Sequence, residues 1–236
     1  MKKSIVLFAL AACVSSLAVN AQDNHDNKTK IVGSGNVVTK EIPVQSFDQL
    51  DAKGVFSLVL TQGDKESLKI EAEDNLQQYF EVRNEGSKLY VDMKKDVNFD
   101  TKKKIKIYIT FHKLKAIDLK TVGDISSTNS LVFENLKIDN KSVGSVDLNV
   151  TAQSLDIDNK SVGDVRLNGK ADHVVIRNKG VGSIQAASFI VQDMDIENSG
   201  VGSAEVNAAK ELKVKDSMMG KVKNKGAATA RKKVAI

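Results

Sequence analysis

The phrases LKIDNKSVGSVDLNV (residues 136–150), LDIDNKSVGDVRLNG (155–169), VVIRNKGVGSIQAAS (174–188) and MDIENSGVGSAEVNA (194–208) are one pattern written four times. Its Val-Gly or Met-Gly pair extends in both directions, to Gly123, Gly144, Gly163, Gly182, Gly202 and Gly220, at intervals of 21, 19, 19, 20 and 18 residues. A period fixed near twenty residues is the mark of a solenoid, in which each repeat buries its apolar face only against its neighbours.

Each repeat also reads as columns. Six residues before the glycines stand Ile117, Ile138, Ile157, Ile176, Ile196 and Val214. Two after them stand Ile125, Val146, Val165, Ile184, Ala204 and Val222, and one before them Val122, Val143, Val162, Val181, Val201 and Met219. Apolar residues two apart, as in Leu155 and Ile157 or Val165 and Leu167, have the period of strands whose alternate side chains face inward, whereas a helix needs spacings of three and four. Twenty residues are too few for a strand, a crossover helix and a return strand, which need about thirty. The spacing therefore predicts an all-β chain folded as a parallel β-helix, each coil made of three short strands and three corners. It is expected to be right-handed, because parallel crossovers almost always are.

Four residues before the glycines, Asn140, Asn159, Asn178 and Asn198 form a polar column continued by Asp216. Asn tolerates the left-handed backbone and bonds to nearby main chain, so these residues are expected at a corner, stacked as an amide ladder. Asn-Lys-Ser at 140–142 and 159–161 also spells a glycosylation acceptor, a chemistry that depends on the host.

Before residue 116 the same texture continues without a clean repeat. Phe56, Leu58 and Leu60, then Leu68, Ile70 and Ala72, then Leu89, Val91 and Met93, then Ile105, Ile107 and Ile109 alternate over short runs, with turns at Gly54, Gly63-Asp64 and Glu85-Gly86-Ser87. Asp74 to Phe80 is expected to form one short helix opened by an Asp or Asn cap. The expected organisation is a signal peptide at 1–21, a polar leader at 22–32, one β-helical domain at 33–230 and a basic tail at 231–236. Within the domain, 33–115 are irregular strands and 116–230 regular coils.

The N-terminus has the form of an export signal: Lys2 and Lys3, an apolar run, and Val19-Asn20-Ala21 before Gln22 as a cleavage site. Cleavage there removes the only cysteine, Cys13. Leu10-Ala11-Ala12-Cys13 also fits the outline of a lipoprotein signal, with Cys13 as lipid anchor. Both readings place the protein in the periplasm, on the outer membrane or outside the cell. No other segment reaches the roughly twenty apolar residues of a membrane helix. Loss of Lys2 and Lys3 leaves 33 basic against 30 acidic residues. The basic excess gathers at the end of the chain, from Lys210 to Lys233, which reads either as a contact for anionic glycans or membranes or as lysines that deter edge pairing.

Catalytic chemistry has little footing. His25, His112 and His173 are scattered, without the spacing of a zinc site or a nucleophile pair. Acidic residues line up as Asp139 with Asp158 and Asp124 with Asp164, one or two coils apart and about 5 to 10 Å by strand spacing, a range that glycoside hydrolysis also uses. Other coils place Arg177, Lys215, Ser145 or Lys221 in those columns, the mixture of a solvated face. No catalytic, cofactor-binding or metal-ligating residue is assigned, and no cofactor is expected. A basic segment without interleaved aromatics also argues against nucleic acid.

Three segments carry a resemblance: Gly33-Ser34-Gly35, the run from Phe47 through Ala52, Gly54 and Phe56 to Gln62-Gly63, and Leu68 to Leu76 with Glu73-Asp74-Asn75. With the later Val-Gly-Ser and Val-Gly-Asp coils, they resemble the putative auto-transporter adhesin head GIN domain family, typical of secreted proteins of Bacteroidetes. The resemblance covers nearly all of residues 33 to 225. It implies a right-handed β-helix of the cell envelope, with no catalytic residues to carry over. About ten residues follow the last coil, too few for a membrane barrel, so a surface location is expected to need another route. The function expected is that of a secreted, non-enzymatic, adhesin-like binding protein, with surface glycans or a host or matrix protein as partner. The alternatives are a carbohydrate-active β-helix enzyme, a polysaccharide hydrolase or lyase, and a structural envelope protein that self-associates through its coil ends.

Overall fold

The computed structural model describes residues 29–217 and 219–232. The expected signal peptide at 1–21, Cys13, His25, most of the polar leader and the last four residues of the basic tail lie outside the described residues.

Strands β1 (Thr29–Val32), β2 (Val37–Ile42), β3 (Gln49–Gly54), β4 (Ser57–Gln62) and β5 (Ser67–Glu73) precede a 3-10 turn at Asp74–Tyr79. Then come β6 (Phe80–Glu85), β7 (Lys88–Met93), β8 (Val97–Asp100) and β9 (Lys106–Phe111). The regular coils are β10 (Ala116–Thr121), β11 (Ile125–Ser127), β12 (Leu131–Asn140), β13 (Val146–Asn159), β14 (Val165–Asn178), β15 (Ile184–Asn198) and β16 (Ala204–Asp216), closed by β17 (Val222–Asn224) and β18 (Ala230–Lys232).

The long strands turn two corners without breaking. In β13, Val146 and Asp147 pair with β11, Val150–Ala152 with the start of β12, and Leu155–Asn159 with its end, so one strand serves three sides of the coil. From β12 onward all pairing is parallel, for example Val146↔Val165 through Asn159↔Asn178, so each side chain stacks on its equivalent one coil away. This is the β-solenoid of about 6 turns expected from the period. Ile117, Ile138, Ile157, Ile176 and Ile196 fill one column of the core, and Ile125, Val146, Val165, Ile184 and Ala204 a second; all are buried.

Residues 33–115 build two more coils, stacked out of chain order. β3 pairs in parallel with β10 on one side and β7 on the other, and β4 likewise lies between β11 and β9. The β3–β4 coil is thus laid down first and enclosed later, which hides its period in the sequence. Beyond these coils the pairing turns antiparallel, with β6 on β7, β5 on β9 and β2 on β5, so the parallel stack ends in a cap.

Three local expectations are corrected. The short helix spans Asp74–Tyr79 as a 3-10 turn, and its cap position, Glu73, makes no side-chain capping bond. The corner asparagines keep ordinary negative φ; the left-handed backbone belongs to Gly123 (φ 148°) and Gly144 (φ 140°). Gly220, aligned by period with Gly202, instead lies against Gly200, where an added Cβ would stand 2.6 Å from that carbonyl oxygen.

Candidate functional site

At the first corner of each regular coil the usual inside-out order is reversed. Asn140, Asn159, Asn178 and Asn198 are buried. Each amide donates from Nδ2 to Oδ1 of the next, at 2.8, 2.8 and 2.6 Å. Oδ1 also accepts from the corner two residues on, from the Ser142 hydroxyl at 2.6 Å, the Ser161 hydroxyl at 2.9 Å and the Gly180 N–H at 3.1 Å. The ladder ends at Asn198, which donates to the carbonyls of Gly202 (3.0 Å) and Gly220 (2.9 Å); Asp216, expected to continue it, is half-exposed. A polar interior at a corner satisfies main-chain groups that have no strand partner there. Burial also removes Asn140 and Asn159 from any glycosylating enzyme in the folded chain.

Because the amide points in, the valine three residues later points out. Val122, Val143, Val162, Val181 and Val201 are 48 to 55 % exposed, although the sequence reads them as one more apolar column of the stack. The glycine that follows each valine packs its Cα on the carbonyl of the coil before: a Cβ at Gly144, Gly163, Gly182 or Gly202 would collide with the carbonyl of Gly123, Gly144, Gly163 or Gly182.

Two of the N-terminal segments singled out in the sequence meet in space. The Gly35 N–H donates to Glu73 Oε1 at 2.6 Å, the Ser34 N–H to Asn75 Oδ1 at 3.0 Å, and Asn36 Nδ2 to Asp74 Oδ2 at 2.9 Å. Glu73 is buried and also accepts from the Thr101 hydroxyl. Gly33-Ser34-Gly35 and Glu73-Asp74-Asn75 are thus a latch that closes the cap over the first coil.

A concavity lies where the stack changes width. The β3–β4 and β7–β9 coils lack the third side, which begins only at Leu131, and the step leaves an open groove of about 1420 Å³. One wall is the crossing from β9 to β10, His112 to Lys115, anchored by Lys115 Nζ on Asp48 at 2.7 Å; this bond holds the Asp48 carboxyl below the usual carboxylate range. The floor is Phe133, stacked on Phe111 with centroids 6.0 Å apart. Gln62 fixes the step: its Nε2 donates to the carbonyls of His112 (3.2 Å) and Val132 (3.0 Å), and its Oε1 accepts from the Val132 N–H at 2.6 Å. Its main chain is clasped by Asn129, whose Nδ2 donates to the Gln62 carbonyl at 2.8 Å. Asn129, Glu134, Gln153, Lys170, Asp172 and Gln192 face the opening. The sequence signals this site weakly, because its residues come from loops and from outward positions of the third side, and none recurs in the repeat.

The acidic columns form ion-pair ladders. Asp139 and Asp158 are register neighbours. Lys141 holds Asp139 at 2.9 Å, and Arg177 Nε holds Asp158 at 2.6 Å while its Nη2 reaches Asp156. The guanidinium keeps the Asp158 carboxyl below its ordinary range. Asp124 and Asp164 accept main-chain N–H bonds from Ser145 (3.1 Å) and Ser183 (2.8 Å), one coil away. The basic end is also cross-coil paired: Lys215 with Glu197 at 3.2 Å, Lys225 with Glu205 at 3.6 Å and Arg231 with Glu211 at 4.0 Å. His112 lines the groove, whereas His173 sits within β14, 3.2 Å from Asp193. Among the described residues, no group of three or more His, Cys, Asp or Glu is arranged to hold a metal ion, and no helix is long and apolar enough to cross a membrane.

Similarity to known proteins follows the same lines. No curated protein matches the chain. A putative adhesin from Bacteroides fragilis is 30 % identical and superposes with a TM-score of 0.73 over 86 % of this chain and 99 % of its own. A putative lipid binding protein from Parabacteroides distasonis (20 % identity, TM-score 0.64, 86 % and 95 % covered) and a putative adhesin from the same species (20 %, 0.62, 87 % and 96 %) share the fold. The family described as putative auto-transporter adhesin, head GIN domain, matches residues 46–228, the latched first coils and every regular coil. The chain belongs to that family.

Proposed function

We propose that this chain is an exported, non-enzymatic, adhesin-like protein of the bacterial envelope that holds a hydroxyl-rich polymer, a surface or matrix glycan, in the groove at the step of the solenoid. The groove carries this reading. It is open, its walls are pinned by Gln62 and Asn129, and its lining brings amides, carboxylates and ammonium groups together. Amides and carboxylates bond sugar hydroxyls as both donors and acceptors. The family name and the Bacteroides relative support adhesion.

The enzymatic alternative asks for an acid kept protonated near neutral pH beside a second carboxylate. The acidic columns supply the reverse: Arg177 holds Asp158 ionised, Lys141 is paired with Asp139, and Asp124 and Asp164 are engaged in main-chain bonds. The groove combines acids with lysines, but its aromatic ring, Phe133, is buried in the floor and offers no stacking platform. The single domain at 33–230, the signal peptide at 1–21 and the absence of a catalytic residue belong to this reading.

The test is a glycan and matrix-protein array with the chain from residue 22 onward, read at low and physiological salt beside Gln153→Ala and Lys170→Ala. Salt-resistant binding that both variants weaken supports the groove. Binding untouched by either variant moves the site elsewhere, and shortening of a polysaccharide during incubation establishes the enzyme instead.

A further inference from the structure

The outward valines are more than a by-product of the amide ladder, because they are aligned. The Val143, Val162, Val181 and Val201 N–H groups donate to the carbonyls of Thr121, Ser142, Ser161 and Gly180, each the residue just before the matching valine one coil back, and Val122 donates to the Gly54 carbonyl. Val55, next after Gly54, heads the row at 53 % exposure. Six valines therefore stand one per coil on a single corner, a straight aliphatic ridge of about 24 Å at strand spacing. Two residues before five of them are exposed lysines: Lys53, Lys120, Lys141, Lys160 and Lys179. Residues two apart in extended chain share a side, so the lysines form a second row alongside the valines. Lys120 and Lys141 reach Asp51 (3.8 Å) and Asp139 (2.9 Å). The carboxylates nearest Lys160 and Lys179, Asp158 and Glu197, are already held by Arg177 and Lys215.

From this juxtaposition we infer that the corner is a membrane-contact edge, which rests its valines at the boundary between headgroups and acyl chains and its lysines on the phosphates of an anionic bilayer. Charge and shape select this occupant over a second copy. Two copies related by a twofold across the ridge would set lysine row on lysine row. A twofold along the ridge would set lysines against a row with only Asp124 and Asp164 as acids, both already accepting main-chain bonds. Two convex corners also touch along a line, whereas a stable protein interface covers about 1,000 Å² or more. A bilayer is deformable and closes around a ridge, and both aliphatic burial and each basic residue near an anionic surface favour binding. The inference is independent of the groove, which lies elsewhere on the coil.

The chain contains no tryptophan, so a single reporter is clean. Val162→Trp and, on an exposed position away from the corner, Ser188→Trp are mixed with vesicles of phosphatidylcholine alone or with one-third phosphatidylglycerol. The expected result is a blue-shifted emission, quenched by shallow bromolipids, for Val162→Trp with the anionic vesicles only. In co-sedimentation, Val143→Ser/Val162→Ser/Val181→Ser should lose tenfold or more of the anionic binding, and Lys160→Gln/Lys179→Gln most of its salt sensitivity. All variants carry the same N-terminus, so any contribution from it cancels in the comparison, and circular dichroism checks that the fold is kept. Equal binding by wild type and the valine variant, emission that shifts alike at both reporters, or sedimentation showing a dimer that the valine variant dissolves would each overturn the inference.

Discussion

Asn159 carries more of the fold than its exposed neighbours suggest. It accepts from Asn140, donates to Asn178 and takes the Ser161 hydroxyl, all in the dry interior. Asn159→Ala takes the acceptor from two donors, the Asn140 amide and the Ser161 hydroxyl, and one donor from the Asn178 carbonyl oxygen, and each buried polar group left unpaired costs about 1 to 3 kcal/mol. The expected loss is about 3 kcal/mol in urea unfolding, with an unchanged denaturant slope, against less than 0.5 kcal/mol for Val162→Ser on the exposed side of the same corner. A loss below 1 kcal/mol for Asn159→Ala would mean that water replaces the amide and that the ladder is ornamental. This residue also shows how far the sequence could be read. The four-fold Asn column and its ladder were legible because one chemistry recurs at one period. The direction of the valines was not, since a hydropathy pattern treats any recurring apolar column as core. Only the hydrogen-bonding demand of the corner decides that the amide turns in and the valine out.

At the scale of strands, the stack holds one sheet side on charge pairing and one open edge on a single side chain. Arg177 and Lys215 keep Asp158 and Glu197 below their ordinary pKa values. A carboxylate whose folded pKa is depressed stabilises the fold above its unfolded pKa, near 4. That contribution is lost as the pH falls further, through the folded value. Stability is therefore expected to decline below about pH 4, and Arg177→Met should flatten that decline while costing about 0.5 kcal/mol at neutral pH, as for partly exposed pairs; urea titrations at several pH values measure both. Gln62 does a different task at the start of the third side. There β12 has β13 on one edge and no strand on the other, and the carboxamide of Gln62 takes both the N–H and the carbonyl of Val132 in place of a strand. Gln62→Ala uncovers that edge, at an expected cost of about 2 kcal/mol, and an unpaired edge invites association. Raised light scattering on warming, together with weakened groove binding, is the expected pair of readouts. The step itself was not legible beforehand. It depends on β3 and β4 being enclosed by later strands, a non-local order that no period in residues 33–115 records.

Taken as a whole, the molecule is a one-dimensional stack with unequal ends. At its first end the parallel coils run into antiparallel β2, β5 and β6, and the Gly33-Ser34-Gly35 latch ties the leader side to buried Glu73. At the other end, three-residue strands β17 and β18 lie on β16, and the basic residues pair back one coil to Glu205 and Glu211. In a solenoid, stability is approximately a sum of neighbour terms, so a terminal coil with one neighbour opens before an interior coil with two. Amide exchange at neutral pH is expected to be ordered along the rod: fastest in Val222–Asn224 and Ala230–Lys232, slowest in β13, β14 and β15, and slow again in β7 and β9 despite their place near the other end. Glu73→Ala removes the latch and should speed exchange in β5, β7 and β9 at least tenfold while leaving β14 and β15 unchanged. Equal acceleration along the whole chain would show that the coils unfold as one unit. In that case a ligand in the groove would stiffen the far coils as much as the near ones, whereas with neighbour-limited coupling its protection should fade within about two coils of the step.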